Sequence, residues 1–372
     1  MDFSLTTEQK MIQTLAKEFR EKEIDPIAGQ MDKDGKIPPD IRKRLADAGL
    51  AEMTTSTEYG GPGADEVSQS LVLEEIAKSG TGIFFFMGFA GRTLERFGTP
   101  EQKQKYIPPL CRGENIGALM FTEAATGADP RMIETVYKAD GDGYVINGAK
   151  QFVTNGAYDG PAICFAKSAE TGRLSAFIID KNCPGYNVSK QWEKMGMGAW
   201  HVVEVNLEDL RVPKGNLFGE EGNGFSLLLE HIAGERVVWA AVMLGIAQAA
   251  LDEAVAYSKQ RFRRETPISN TESIQYFLAE MATKVDAMRA VAYKLASMVD
   301  QGENIIVDSA KAKIFTTDTA AEVVDISQQV HGGYGYLKEL KIERLYRAAK
   351  AGKIIFASNQ IMRSIIAPAL LR

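Results

Sequence analysis

A single carboxylate, Glu235, interrupts the apolar run His231-Ile232-Ala233-Gly234-Glu235-Arg236-Val237-Val238-Trp239. In a helix, residues three and four positions away share its face. Those neighbours are His231, Ile232, Val238 and Trp239, mostly bulky and apolar. Burial there disfavours the charged form, so the carboxyl pKa rises toward neutrality. A general base that must take a proton from weakly acidic carbon near pH 7 needs such a value. From this segment alone, a partly exposed glutamate at a kink beside Gly234, paired with a lysine, is the plain alternative.

Three further stretches could meet a ligand. The loop Phe121-Thr122-Glu123-Ala124-Ala125-Thr126-Gly127-Ala128-Asp129 leaves an apolar strand through small residues, which lets backbone N–H groups approach an anionic or flat ligand. An ordinary strand-to-turn exit reads the same way. Phe152 and Thr154 lie two apart on one strand, so they share a face and could offer stacking plus one polar contact to a planar ring. Gln329-Val330-His331-Gly332-Gly333-Tyr334-Gly335-Tyr336 follows a helix and opens none after a strand, so it is a poor dinucleotide fingerprint. His201, His231 and His331 are far apart and lack metal-ligand spacing, so no metal site is expected.

These residues must be positioned by a chain of 372 residues, longer than one core usually serves. A net charge of −6 argues against nucleic acid or an acidic membrane as partner. Cys111, Cys164 and Cys183 show no paired spacing, which suggests a reducing cytoplasmic setting. The start, Met1 to Leu5, has no secretory pattern. The C-terminal apolar stretch from Ile354 to Leu371 is broken by polar residues and predicts a buried amphipathic helix, not a membrane span.

Helical periodicity predicts an N-terminal helical domain over 1–115, with helices near residues 6–19, 39–48, 65–79, an aromatic helical run at Ile83–Met87, and one opening at Thr99-Pro100. A middle domain over 116–224 changes to period two and predicts an antiparallel β-barrel or sandwich, with an Asn147-Gly148 turn joining two strands. From 225 to 372 the helical period returns as a four-helix bundle, the helices spanning about 225–261, 269–300, 305–329 and 340 to the end. The fold class is thus α+β and multidomain.

The order of these pieces resembles the acyl-CoA dehydrogenase family over essentially the whole chain. The matching stretches are Glu58-Tyr59-Gly60-Gly61, Phe121-Thr122-Glu123 with Gly127 and Asp129, Asn147 to Lys150 through Thr154-Asn155-Gly156, Arg211-Val212-Pro213 with Gly222 to Phe225, Tyr257 to Arg261, and Gln329 to Tyr336. The resemblance implies FAD, an acyl-CoA thioester substrate, an electron-transferring flavoprotein as partner, and a homotetramer. It implies that Phe121, Thr122, Phe152 (usually Trp) and Thr154 face the isoalloxazine. Arg261, Gln329 and Gly333 would hold the adenosine and pyrophosphate portion, in part from a neighbouring subunit. Ser358 and Gln360 fall where the family has Thr and Gln near the flavin, and Arg236 corresponds to an arginine at the substrate pocket.

Many members carry the catalytic glutamate in a Tyr-Glu-Gly-Thr turn near the C-terminus, where this chain has Ile355-Phe356-Ala357-Ser358. A branch resembling isovaleryl- and long-chain-type members places it on the first bundle helix as Glu-Arg, as in Glu235-Arg236. The resemblance therefore implies that Glu235 is the catalytic base. Other departures are Arg261-Phe262-Arg263-Arg264-Glu265 for Arg-x-x-Phe-Gly, Glu272 for Gln, and Ala128 for Ser; Arg264 and Glu272 could pair. Phe356, Trp239 and Phe84-Phe85-Phe86-Met87 would crowd the acyl pocket, which favours short branched, cyclic or aryl acyl groups. The expected reaction is α,β-dehydrogenation. The alternatives are an enoyl-CoA reductase running the reverse reaction, or a non-redox scaffold that has lost FAD.

Overall fold

The computed structural model describes residues 4–88, 90–127 and 129–371. The first part is helical: α1 (Thr7–Phe19), α2 (Ala28–Asp34), α3 (Ile41–Asp47), α4 (Glu66–Ala77), α5 (Gly91–Phe97) and α6 (Pro100–Cys111). Side-chain caps fix the starts. The Thr6 hydroxyl and the Gln9 side chain accept from each other's backbone N–H groups, Asp65 caps α4, and Thr99 caps α6 with Pro100 in its first turn. The aromatic run expected to be helical over Ile83–Met87 is a single 3₁₀ turn, Ile83–Phe86, with Met87 at its end. It is entered through Gly82 at φ 82°, where an added Cβ would meet Met197 Cβ at 2.8 Å. That close approach docks the phenylalanines against the β-domain.

The middle part carries β1 (Ala118–Met120), β2 (Val136–Asp140), β3 (Gly143–Thr154), β4 (Pro161–Ser168), β5 (Leu174–Asp180), β6 (Tyr186–Gln191), β7 (Val202–Pro213) and β8 (Leu217–Phe218). The sheet order is β6-β7-β3-β2-β4-β5-β8, with β1 also paired to β4. The sheet is mixed, which corrects the antiparallel expectation. β1 pairs β4 in parallel from Ala118↔Ala162, and β2 rejoins the same edge in parallel at Val136↔Lys167. The chain leaves that edge after Met120 and returns in the same direction, so both pairings are parallel.

Asn147-Gly148 is not a turn. β3 is one continuous strand paired with β7, with register shifts at Ile146/Gly148 and Lys150/Val153. Gly148 is required because a Cβ there would meet Thr135 Oγ1 at 2.4 Å. The Asn147 amide exchanges hydrogen bonds with Asp209, donating to its Oδ1 (3.1 Å) and accepting from its N–H (2.8 Å).

The last part opens with α7 (Gly224–Gln260), followed by a short hairpin, β9 (Phe262–Arg263) and β10 (Thr266–Pro267), then α8 (Glu272–Asp300), α9 (Ile306–His331), α10 (Lys341–Gly352) and α11 (Asn359–Leu370). α7 is the central core helix. Gly245 lets α4 approach so closely that a Cβ would meet Glu74 O at 2.2 Å. Among the described residues only α7 is long and apolar enough to cross a bilayer, and 72% of its most apolar window is buried in the chain. The single fourth helix expected from 340 onward is two helices. Left-handed Phe356 (φ 52°) and Ala357 (φ 68°) break it, and Ser358 caps α11. α11 buries only Asn359 and Met362, while Leu370 and Leu371 are exposed, so the expected burial is not achieved within one chain.

Candidate active site

Glu235 lies about a third of the way along an unbroken α7 and is only 6% exposed, which removes the kinked, exposed alternative. It lines a small cavity with Gln69 and Leu73 of α4, Phe84 and Phe85 of the aromatic turn, Trp239, and Phe356. Burial pushes its carboxyl pKa up to about 8; Arg92 pulls it back, and Glu66 and Glu52 raise it further. Gly234 explains how Arg92 reaches this site, since a Cβ there would sit 3.0 Å from Arg92 Nη2. The Arg92 guanidinium in turn pairs with Glu66 at 2.5 Å. One turn before Glu235, His231 places Nε2 3.9 Å from the carboxylate and Nδ1 2.6 Å from Thr93 Oγ1. Burial, then Arg92, lowers the imidazole pKa to about 3, so the ring is neutral.

The opposite wall brings the two alternative base positions together. Trp239 is fully buried, donates from Nε1 to Gly352 O (3.3 Å), and sets its ring 5.8 Å from that of Phe356. Phe356 and Glu235 thus face one cavity from separate backbones. Lys313 of α9, which sequence reasoning missed, holds the Phe356 turn. Its buried ammonium donates to Ala357 O and Asn359 Oδ1, both at 2.8 Å. Burial pushes its pKa down to about 7, with nearby Arg236 adding to the effect. Arg236 is itself buried, its pKa lowered to about 10 by desolvation. It lies on the side of α7 toward Lys313 and is not part of this cavity's wall.

On the β-domain, Phe121 and Thr122 leave β1, and Gln151 N donates to Thr122 O at 2.8 Å. β3 bulges there, so Phe152 and Thr154 do not share a face by simple alternation. Phe152 adopts φ 55° and is 55% exposed. Its ring lies 5.6 Å from Trp192, whose buried Nε1 has no hydrogen-bond partner among the described residues. Thr154 Oγ1 accepts from Trp200 Nε1 at 2.9 Å, and Trp200 stacks at 4.6 Å on the cavity residue Phe85. The exposed Phe152 ring, the unpartnered Trp192 N–H and Thr154, linked to the cavity through Trp200 and Phe85, suit a flat heteroaromatic ring rich in acceptors, such as isoalloxazine. Beneath this shelf, buried Lys150 donates to Glu123 Oε1 and Phe165 O, both at 2.6 Å. Glu123 also accepts from Glu134 N (2.6 Å) and Thr135 N (3.1 Å), and the threonine hydroxyl donates to it at 2.6 Å.

The remaining expected positions fall elsewhere. Ser358 is at the start of α11, and Gln360 is exposed beyond it. Arg261 lies 5.5 Å over Tyr334 and, with Gly333, lines an open cleft; Gln329 is exposed nearby. At 1.5 Å per residue, Arg261 lies roughly 39 Å along α7 from Glu235, so this cleft and the cavity are separate places on one chain. Arg264 sits at a hairpin tip with φ 57°, Glu272 accepts from the Tyr276 hydroxyl, and among the described residues no ion pair joins Arg264 to Glu272. Ala128 lies outside the described residues. No group of three or more His, Cys, Asp or Glu that could hold a metal occurs among the described residues.

Family models match along the chain: the acyl-CoA dehydrogenase N-terminal domain over residues 6–114, the middle domain over 118–210 and the C-terminal domain over 222–371. The 3-(aryl)acrylate reductase of Clostridium sporogenes is 37% identical, covering 99% of each chain. The butyryl-CoA dehydrogenase structure from Megasphaera elsdenii superposes over 100% of each chain with TM-score 0.97 at 35% identity. A chain from a structural study of the electron transferring flavoprotein of Acidaminococcus fermentans, directed at flavin-based electron bifurcation, also covers 100% of each chain, with TM-score 0.94 at 37% identity.

Proposed function

This chain belongs to the acyl-CoA dehydrogenase family of FAD-dependent oxidoreductases, and within it we propose that Glu235 is the base for α,β-dehydrogenation of a short branched, cyclic or aryl acyl-CoA. One observation carries this reading: a buried carboxyl with a pKa raised to about 8 faces the cavity that Phe356 closes from the usual base position. The thioester carbonyl accepts a hydrogen bond from a backbone N–H of the turn at 356–358, which Lys313 holds in its left-handed form. Donors already in place stabilise enolate charge as Glu235 removes the α-proton. Phe121, Thr122, Phe152 and Thr154 would hold the flavin ring of FAD, which when bound would supply the acceptor for the β-hydride. Phe84, Phe85, Trp239 and Phe356 exclude water and limit acyl length.

Electrons then leave to an electron-transferring flavoprotein, in keeping with the structural likeness to the Acidaminococcus fermentans study. The exposed apolar end of α11 and exposed Tyr334 and Tyr336 are consistent with a homotetramer, in which Arg261, Gln329 and Gly333 serve a neighbour's dinucleotide. The free cysteines Cys111, Cys164 and Cys183 suit a cytoplasmic setting. In Glu235→Gln the protein stays yellow and folded but is no longer bleached by an acyl-CoA panel of straight, branched, cyclic and aryl members; rapid bleaching in the variant refutes the assignment. A second reading, reduction of an enoyl-CoA by the same residues in reverse, is favoured by the likeness to the 3-(aryl)acrylate reductase. Stopped-flow rates in both directions, with the bound flavin potential, decide between them.

A further inference from the structure

A base buried under its own substrate has a proton problem. Once an acyl thioester fills the cavity, the Glu235 carboxyl is walled off by Phe84, Phe85, Trp239 and Phe356, and water cannot reach it from that side. The proton it takes must leave by another path, or arrive by one if the reaction runs in reverse.

A second cleft along the same helix supplies such a path. His231 lies one turn before Glu235, with Nε2 3.9 Å from Glu235 Oε1. Its other nitrogen is 2.6 Å from Thr93 Oγ1 on α5. Both His231 and Thr93 line this second cleft, between α5, the first turns of α7 and the α8–α9 connection. The far wall of that cleft is made by Arg96, Glu303 and Asn304, which are exposed. Two cavities therefore flank this stretch of α7, Glu235 lining one and His231 with Thr93 lining the other.

We propose that His231 and Thr93 form a proton relay joining Glu235 to solvent in this second cleft. This rests on the reading of Glu235 as the base. In the tautomer with hydrogen on Nδ1, the ring donates to Thr93 Oγ1 and presents the Nε2 lone pair to Glu235. The substrate α-C–H bond breaks and its proton bonds to Glu235. That proton passes to Nε2, the Nδ1 proton passes to Thr93 Oγ1, and the threonine hydroxyl gives its own proton to water in the cleft. No electron moves, and rotation of the hydroxyl and ring-proton exchange reset the path. The 3.9 Å gap is long for transfer, but such contacts commonly tighten when ligand binds.

The groups that face the relay come from every neighbouring element: Arg92 on α5, Glu66 and Gln69 on α4, Glu52 in the loop before α4, and Glu230 with Arg96 at the cleft. Arg92 bears on both Glu235 and His231 and favours neutral imidazole, the form with one accepting and one donating nitrogen.

The test is α-hydrogen exchange of a 3-thiaacyl-CoA, whose β-sulfur cannot lose hydride, in D₂O on the FAD-loaded enzyme, followed by NMR. His231→Phe and Thr93→Val slow exchange about 10²-fold, the lower end for general acid–base groups. Both retain the enolate-to-flavin absorption band, and added imidazole restores exchange in His231→Gly. Exchange at the wild-type rate in both His231→Phe and Thr93→Val overturns the relay. So does a loss that imidazole leaves untouched and that follows FAD loss. Glu235→Gln separates the two ideas: wild-type exchange there defeats the base assignment itself, whereas abolished exchange there with normal exchange in the His231 and Thr93 variants defeats only the relay.

Discussion

Glu235 makes the stability of this protein respond to pH in a defined direction, and Glu235→Gln removes that response. The native carboxyl titrates at about 8 against an unfolded value of 4.5. Between these values the native state holds a proton that the unfolded state has released, so wild-type stability falls as pH rises from about 4.5 and levels off above about 8. At about 1.36 kcal/mol per unit, the ionised glutamate costs the fold about 5 kcal/mol at pH 9 and about 3 kcal/mol at pH 7. Glutamine has no such term. For 372 residues unfolding with an entropy of about 2.1 cal/mol/K each, 1 kcal/mol corresponds to about 1.3 °C. The gap in Tm between Glu235→Gln and wild type should therefore widen by about 6 °C from pH 4.5 to pH 9. Differential scanning calorimetry of both FAD-loaded proteins across that range measures it. Parallel Tm curves, or a gap that narrows with pH, would mean that the carboxyl is not held in its neutral form by burial.

Oxidation of acyl-CoA needs ionised Glu235, so kcat/KM in that direction should climb through about pH 8 and then level, while enoyl-CoA reduction, which needs the protonated form, should decline over the same interval; steady-state profiles in both directions check this. Lys150→Met strands the buried Glu123 carboxylate and should cost about 3–5 kcal/mol in urea unfolding, with Glu123→Gln in the same chain recovering part of the loss.

What sequence could show of this protein followed from how each element is buried. α7 reads clearly because most of its surface is covered, and Glu235 stands out against it as a lone acid among apolar neighbours. β2 and β6 each bury a single residue, so they carry no alternating apolar signal and went unseen. Asn147-Gly148 has the composition of a hairpin turn, yet the glycine is demanded by Thr135 pressing on it from β2's approach. Local composition records that a Cβ is forbidden, not what forbids it. The break at Phe356-Ala357 was equally hidden, because neither residue is a usual left-handed one. It is held by the Lys313 bonds to Ala357 and Asn359, more than forty positions away in sequence.

The same distinction governs the site. A base is recognisable when its own neighbours in sequence desolvate it, as Ile232, Val238 and Trp239 do for Glu235. Its electrostatic partners are not, because Arg92, Glu66 and Glu52 come from α5, α4 and a loop, and meet it only after folding. Glycine is the trace they leave in α7: Gly234 reads as a helix weakness, yet it is the gap through which Arg92 reaches the carboxyl. A residue larger than glycine there would push the guanidinium away from both Glu235 and His231. The pKa of the base and the neutrality of the imidazole would then change together, which ties the chemistry in the cavity to the second cleft through one missing side chain.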